Sequence, residues 1–235
     1  DLLTRGLDPH GQLRDPIAHP DQFQDSPLGR IPKEWRATTL GALLALVYRY
    51  PTYSGIKYVA KGVPEIRGEL LENGGTLNAN LSAYRYISEE TAAQFPKVRL
   101  DENDIVMSVR GTLGKLALVP AHLKGAVITA NLIRLHLDKE QVEAEWLIQV
   151  MRSEQFQQSL LNNASATTIQ TIQVPQIESI SLLLPPKPEQ RNVLRVLCCF
   201  DNQLKDETLI LAKLGLLKSG LMTDLLTGRV RLPDK

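Results

Sequence analysis

A short glycine-rich turn carries the residues best suited to hold a phosphate. Arg110 and Lys115 flank this turn, and Thr112 supplies a hydroxyl group between them. Gly111 and Gly114 would let the backbone approach an anionic ligand closely, because glycine has no Cβ atom. Cations and hydroxyls at such a turn are typical of contacts to the backbone of a nucleic acid. The turn therefore predicts a nucleic-acid surface.

Other segments of the chain add aromatic, basic and amide side chains to this candidate surface. Their candidate DNA-contacting residues are Tyr48, Arg49, Lys57, Tyr84, Arg85, Thr167 and Gln170. For each aromatic-basic cluster alone, a solvated face with ring stems packed inward is the simpler explanation, and a plain polar turn explains the last two residues. Together with the glycine-rich turn, the two basic-aromatic clusters make three clusters on a chain of net charge +1, which favours nucleic-acid binding through a local patch.

The sequence has no group of residues with the spacing of a catalytic or metal-binding site. The segment 111–115 lacks the spacing of a nucleotide-binding loop and the hydroxyl residue after its lysine. The four histidines have no metal-ligand spacing, and there is no Cys-x-x-Cys. We expect Asp101, Glu102 and Asp104 to solvate a turn and His136 to be structural. The sequence thus predicts a non-catalytic chain without a metal or cofactor of its own.

Apolar runs predict the elements that would position the turn. The predicted elements are strands over 104–109, 115–119, 126–137 and 177–184, and a helix over 138–163. The first two strands are joined by the glycine-rich turn. Asp138 is the predicted helix cap, with Gln141 at the capping-box position. A strand pair with helices predicts a mixed α/β (α+β) domain.

The last helix has the most regular apolar pattern in the chain. Over roughly five heptads, its predicted seam comprises Val193, Leu197, Phe200, Leu204, Leu211, Leu214, Leu221 and Leu225. From Glu189 to Leu226 such a helix would be about 57 Å long, so we expect it to project and pair with a partner. Glu207 and Lys218 interrupt the seam. They would meet in an antiparallel pairing, or they both lie at a solvated edge.

The ends of the chain differ in composition from its middle. Residues 8–34 contain five prolines and few apolar residues, which predicts an extended linker. Asp1–Gly6 nearly repeats the sequence of Asp224–Arg229, so the first residues are predicted to be the stub of an equivalent helix, with a chance match as the alternative. No apolar run has the length of a membrane span, no leader is evident, and the two cysteines are adjacent. These features favour a reducing cytoplasmic compartment.

A set of short motifs occurs in a fixed order along nearly the whole chain. The motifs are Ile31-Pro32-x-x-Trp35, Leu40-Gly41, Asn103-Asp104-Ile105-Val106, Gly111-Thr112-x-Gly114, Ala130-Asn131-Leu132-Ile133, Leu184-Pro185-Pro186-x-x-Glu189-Gln190 and Leu225-Leu226-Thr227-Gly228. In this order they resemble the DNA specificity subunit of type I restriction-modification systems. Arg110 and Lys115 lie in a variable part of the motif, so the DNA sequence that is read cannot be transferred from the family.

The resemblance implies a division of the chain and a set of partners. The implied regions are a linker with a helix stub over 1–30, a target recognition domain over 31–185, a conserved long helix over 186–228 and a tail over 229–235. The family implies that such a domain reads one half of a split double-stranded DNA site. Its helices form an antiparallel coiled coil, set the half-site spacing and dock methyltransferase subunits, which bring S-adenosylmethionine. A separate motor-nuclease restriction subunit brings ATP.

Having one such domain, the chain is similar to half of a subunit. It would be either a half-length protein that forms a homodimer through the last helix or a C-terminal fragment. Two other classes stay open, namely a coiled-coil adaptor without DNA readout and a small enzyme with a dispersed site. The ordered motifs argue against the adaptor, and the lack of converging titratable residues argues against the enzyme.

Overall fold

The computed structural model describes residues 1–49, 56–165 and 171–230. It has the mixed α/β architecture that the sequence predicted, and it divides into a unit of residues 1–191 and a unit of residues 192–235. The helices are α1 (Leu2–Arg5), α2 (Glu89–Ala93), α3 (Ala144–Arg152), α4 (Glu154–Asn163), α5 (Val174–Glu178) and α6 (Lys187–Leu226). The strands are β1 (Phe23–Ser26), β2 (Gly29–Pro32), β3 (Arg36–Thr39), β4 (Leu44–Arg49), β5 (Tyr58–Val59), β6 (Val63–Ile66), β7 (Arg85–Ile87), β8 (Ile105–Ser108), β9 (Leu116–Leu118), β10 (Val127–Ile128), β11 (Leu132–Leu137) and β12 (Ser181–Leu184).

The central sheet has four antiparallel strands in the order β4-β11-β8-β9. All four residues of β8 are buried, as expected for an interior strand with apolar residues on both faces. The turn of residues 110–114 joins β8 to β9, which confirms the predicted strand pair.

The third predicted strand, over 126–137, is wrong as a single element. Residues 126–137 form two strands, because the chain turns between them, where the Leu132 N–H donates to the Thr129 carbonyl at 3.0 Å. β11 joins the central sheet, whereas β10 pairs with β6 in a second sheet of order β10-β6-β7-β5. Val106 and Ala117 from the central sheet share one hydrophobic core with Val63, Ile66 and Val127 from the second.

The predicted helix start at Asp138 is also wrong, because α3 begins at Ala144. The Asp138 carboxylate accepts hydrogen bonds from the Gln141 side chain at 2.8 Å and from the Glu140 N–H at 3.0 Å. These two bonds lower the pKa of Asp138, and they form a side-chain turn instead of a helix cap. Ser153 then separates α3 from α4 and caps α4 with its hydroxyl group.

The predicted last strand, over 177–184, is shorter than expected. Its first residues belong to α5, and its last four residues form β12, which pairs with β3.

The prolines of residues 8–34 do not keep this segment extended. β1 and β2 form an antiparallel hairpin, and Phe23 and Ile31 are buried. The side chain of Arg14 is only 9% exposed and pairs with Glu189. The prediction of an extended linker is therefore wrong for this stretch, because Phe23 and Ile31 are buried in a hairpin and Arg14 has a buried partner.

The second unit consists mainly of the continuation of α6. Pro188 lies in the first turn of this helix, as predicted, where its missing N–H costs nothing. Val193 is buried and Leu197 is half-buried, while the other seam residues are exposed, from 38% at Leu225 to 71% at Leu211. No helix among the described residues is long and apolar enough to cross a membrane.

Candidate nucleic-acid interface

The register of the central sheet brings three basic residues to one end of it. Arg49, at the end of β4, lies opposite Ile133 of β11, and Ile133 lies opposite Met107 of β8. β8 ends one residue later, so Arg110 and Lys115 flank the turn that follows at the same end. Among residues 1–49, 56–165 and 171–230, none of these three cations has a carboxylate within ion-pair distance. We call Arg49, Arg110, Lys115 and the turn 110–114 the basic end.

The buried side chain of Ser108 stabilises the turn of the basic end. Its hydroxyl donates to the Thr112 carbonyl at 2.5 Å and accepts from the Lys115 N–H at 2.9 Å. Ser108 is 4% exposed, whereas Arg110 and Thr112 are exposed and Lys115 is half-exposed. The shape of the turn is thus fixed by a buried hydroxyl group, and its polar side chains are left to the surface. Sequence reasoning missed Ser108, although a hydroxyl residue directly before the turn was a usable signal.

The two glycines of this turn have different roles. Both have a positive φ, 83° at Gly111 and 76° at Gly114, which favours glycine. A Cβ atom on Gly111 would meet nothing within 4 Å, so this backbone is open to a ligand. A Cβ atom on Gly114 would lie 2.3 Å from the Gln157 Oε1 atom. Gly114 therefore allows packing against α4, and the expectation that it lets a phosphate approach is wrong.

The polar segment before α5 reaches the same end of the sheet. Thr171 forms isolated bridges with Arg110 and with Ser165. The Ile172 N–H donates to the Val109 carbonyl at 3.3 Å, which extends this pairing. The structure thus brings Thr171 and Ile172 to the basic end. Thr167 and Gln170 lie outside the described ranges.

Tyr48 and Arg49 are adjacent on β4 and have different surroundings. The Arg49 Nε atom donates to the Ala130 carbonyl at 3.3 Å, at the basic end. Tyr48 packs against the shared hydrophobic core, and the Lys97 ammonium group lies 5.7 Å from the centre of its ring. Only Arg49 of this pair therefore remains with the basic end.

A second basic-aromatic group lies on the edge of the other sheet. Lys57 and Arg85 are exposed, and the Arg85 guanidinium lies 5.8 Å from the centre of the Tyr58 ring. Tyr58 and Arg85 line a shallow cavity of about 530 Å³ together with Tyr86. Tyr84 is only 5% exposed, and its hydroxyl donates to the Asn78 carbonyl at 2.8 Å. Burial, and after it the charge of Glu72, raises the pKa of Tyr84.

The opposite end of the central sheet carries a buried charge cluster. Arg134 donates to Asp104 at 2.7 Å and to Asp101 at 2.9 Å, and the His136 Nδ1 atom lies 2.6 Å from Asp104. Asp104 is 1% exposed, so the expectation that it solvates a turn is wrong. The two carboxylates and the histidine have the chemistry of a metal-ligand set, with ligand atoms within 4.8 Å of one another. Arg134 already forms ion pairs with both carboxylates, and we assign the cluster a structural role, as expected for His136.

The fold and this surface define a class of protein: a mixed α/β domain with one basic sheet end, joined to a long helix with exposed leucines. The chain belongs to the family described as the type I restriction modification DNA specificity domain, whose model matches residues 32–214. The family that the sequence motifs indicated is therefore confirmed.

Similar proteins support the same assignment. The chain is 23% identical to the type I restriction enzyme MjaVIII specificity subunit of Methanocaldococcus jannaschii, over 99% of this chain and 52% of that protein. It is 24% identical to the putative type I restriction enzyme MjaX specificity subunit of the same organism, over 98% of this chain and 49% of that protein. The chain thus spans about half the length of the curated relatives it matches.

Solved structures share the fold. The crystal structure of the HsdS subunit from Thermoanaerobacter tengcongensis aligns with a TM-score of 0.67 at 16% identity, covering 90% of this chain and 53% of that one. A structure described as the basis of complex assembly and conformational transition of the type I R-M system aligns with a TM-score of 0.63 at 19% identity, covering 88% of this chain and 49% of that one. At these identities the likeness concerns the fold.

Proposed function

We propose that this chain reads one half of a split double-stranded DNA target and holds that DNA at the basic end of its central sheet. The observation that supports this most is the sheet register, which gathers Arg49, Arg110 and Lys115 where none of them has an acidic partner among the described residues. Phosphate contacts from such cations position a protein on a duplex, and contacts to base edges then specify the sequence.

The two groups of candidate residues have different proposed tasks. Arg110, Thr112 and Lys115 hold phosphates, with the open backbone of Gly111 between them. Lys57 and Arg85 on the second sheet, and Thr167 and Gln170 in the polar segment, contribute to the choice of bases. Tyr48 and Tyr84 support these groups from the core and make no direct contact with DNA.

In the proposed function the chain performs no chemistry itself. It docks methyltransferase subunits, which bring S-adenosylmethionine, and a motor-nuclease restriction subunit, which brings ATP. The proposed docking element is α6, whose seam pairs with a second helix from another copy of the chain or from the other half of a longer subunit. Ile210 and Leu217, at 58% and 59% exposed, flank the seam and leave an apolar face for a methyltransferase.

Photocrosslinking tests the placement of DNA on the basic end. The purified chain is mixed with random-sequence duplexes in which 5-bromouracil replaces thymine, irradiated and digested, and the linked peptides are identified by mass spectrometry. We expect links to the peptide that contains residues 108–116. Links confined to the peptides of Asp101 and Asp104, at the other end of the sheet, would contradict the proposal. A coiled-coil adaptor, the alternative suggested by the exposed leucines of α6, would give no links above those of a non-binding protein.

A further inference from the structure

Residues of two family motifs, Trp35 and Glu189, meet away from the basic end, at the carboxylate of Glu189. This residue lies in the first turn of α6 and is 8% exposed. Its Oε1 atom accepts a hydrogen bond from the Leu7 N–H at 3.1 Å, and its Oε2 atom accepts one from the Trp35 Nε1–H at 3.0 Å. The Arg14 guanidinium donates to both oxygens and supplies the opposite charge. One buried carboxylate thus ties together four separate segments of the chain.

Two of these segments are ends of helices. The Arg14 Nη1 atom also donates to the Arg5 carbonyl at 3.2 Å, and Arg5 is the last residue of α1. This bond satisfies a carbonyl that a helix end leaves unpaired. The end of α1 and the start of α6 therefore meet at the same ion pair, which we call the Glu189 joint and define as Gly6, Leu7, Arg14, Trp35 and Glu189.

Gly6 makes the close approach in this joint possible. It has a φ of 64°, and a Cβ atom at this position would lie 2.1 Å from the Glu189 Oε1 atom and 2.5 Å from the Trp35 ring. No residue with a side chain fits there without displacing the carboxylate. The glycine of the Leu-Leu-Thr-Arg-Gly motif and the glutamate of the Pro-Pro-x-x-Glu-Gln motif are thus complementary parts of one contact.

The residue after Glu189 fastens the start of α6 on another side. Gln190 is fully buried, its Oε1 atom accepts from the Glu143 N–H at 2.9 Å, and its Nε2 atom donates to the Pro185 carbonyl at 2.9 Å. These contacts hold the first turn of α6 to the segment before α3. Of this pair, Glu189 is the member that contacts the segment after α1, directly at the Leu7 N–H and through Arg14 at the Arg5 carbonyl.

We infer that Glu189 is a positioning residue for DNA recognition, which holds the ends of α1 and α6 at one fixed place on the recognition domain. The expected effect of Glu189 on DNA recognition rests on the proposed function. The distance between two half-sites depends on where each domain is attached to its helices. A loosened joint would widen the range of half-site spacings that is accepted, while the bases read within each half-site would not change.

The test compares Glu189→Gln with Asp206→Asn in the full chain. Both changes remove one negative charge from α6, but Asp206 is exposed and lies outside the two heptad positions of the seam. In Glu189→Gln the new amide group faces N–H donors of Arg14 and Trp35. The measurements are hydrogen exchange at the Leu7 amide and selection from duplexes with two half-sites and variable spacers.

For Glu189→Gln we expect exchange at Leu7 to become at least about tenfold faster, since a hydrogen bond to a charged acceptor is lost. We also expect more spacer lengths to be accepted, with the same half-site sequence. Asp206→Asn should behave like the unmodified chain. Unchanged Leu7 exchange and unchanged spacer selection in Glu189→Gln would overturn the inference, and so would a changed half-site sequence, because that would assign Glu189 to base reading.

Two further measurements test the inference if Glu189→Gln does not fold or if the proposed function fails. If Glu189→Gln does not fold, Trp35→Phe removes one donor to Glu189 while keeping an aromatic ring beside Trp146, whose ring centre lies 6.0 Å away. This variant should speed Leu7 exchange less, but in the same direction, and unchanged exchange would count against the joint. If the unmodified chain selects no DNA sequence, the proposed function fails, whereas the Leu7 exchange still tests the joint.

Discussion

Arg110 and Lys115 lie where cations can meet phosphates without first leaving an acidic partner of the described chain. Replacing either by Ala should weaken binding to all duplexes by a similar factor. It should also lower the slope of log affinity against log salt by about 0.9 for each phosphate contact that is lost. The measurement is duplex binding by fluorescence anisotropy over a salt series. Lys124→Ala is the control, because Lys124 is near Asp101 at the other end of the sheet, 3.8 Å from its carboxylate. Equal slopes in all three variants and the unmodified chain would remove the turn from the interface.

A substitution of Arg134 tests the structural role of the charge cluster at the other end of the central sheet. Its side chain is 6% exposed and lies 2.7 Å from the Asp104 carboxylate, which is 1% exposed. Arg134→Met leaves that carboxylate buried with fewer donors, and the free energy of unfolding should fall by about 3–5 kcal/mol. Lys124→Met, which removes an exposed partner of Asp101, should cost at most about 1 kcal/mol. Urea denaturation measures both, and similar losses in the two variants would contradict the assignment.

At the scale of elements, the turn of the basic end allows a paired glycine test. Gly111→Ala places an alanine at a positive φ in open space, which costs about 1–2 kcal/mol. Gly114→Ala meets the same strain and also the side chain of Gln157, so it should lose about 1–3 kcal/mol more. Thermal denaturation of both variants gives the difference. An equal loss of stability in the two variants would mean that the contact between the turn and α4 does not stabilise the protein.

The exposed seam of α6 predicts self-association. Burying each leucine of the seam is worth roughly 1.5–3 kcal/mol, so two copies should pair. Leu204→Asp or Leu211→Asp should give monomers, or aggregates if the seam stays exposed, in sedimentation at micromolar concentrations. Leu209→Asp is the matched control, because Leu209 is 68% exposed and lies on the face opposite the seam in the heptad numbering. An unmodified chain that sediments as a monomer would count against a homodimer and favour a partner helix from elsewhere.

Local signals in the sequence were sufficient for some elements and insufficient for others. The strand pair β8 and β9 follows from apolar runs around a glycine turn, and α6 follows from a heptad pattern that begins after Pro188. The helix start at Asp138 was mistaken because a carboxylate that caps a helix can equally form its own turn. The partition of residues 126–137 between two sheets depends on pairing with β6, and this long-range pairing leaves no local signal.

The same distinction holds for the candidate site. Arg110 and Lys115 could be predicted as candidates because residue type and a glycine turn suffice to nominate them. Their alignment with Arg49 comes from strand register, which the sequence does not display. Glu189 and Trp35 both belong to family motifs in the sequence. The hydrogen bond between them joins residues that are 154 positions apart in the chain, so it could not be predicted from the sequence.

At the scale of the whole molecule, the proposed division of labour predicts that two proteins are needed for methylation. The chain alone should transfer no methyl group to DNA. Addition of the cognate methyltransferase should give site-specific methylation that depends on S-adenosylmethionine and that neither protein produces separately. A labelled-methyl assay measures this transfer. Methylation by a preparation of this chain that is free of other proteins would contradict the proposed non-catalytic role.

Selection of duplexes from a random-sequence pool tests the central claim, that this chain prefers one DNA sequence and holds the duplex at the basic end. The unmodified chain should enrich one short sequence over successive rounds. The Arg110→Ala, Lys115→Ala double variant should lose affinity for the enriched duplex and for unrelated duplexes alike, whereas Lys124→Ala should retain both the affinity and the preference. Failure of the unmodified chain to enrich any sequence, with affinity that is the same for every duplex, would contradict the claim.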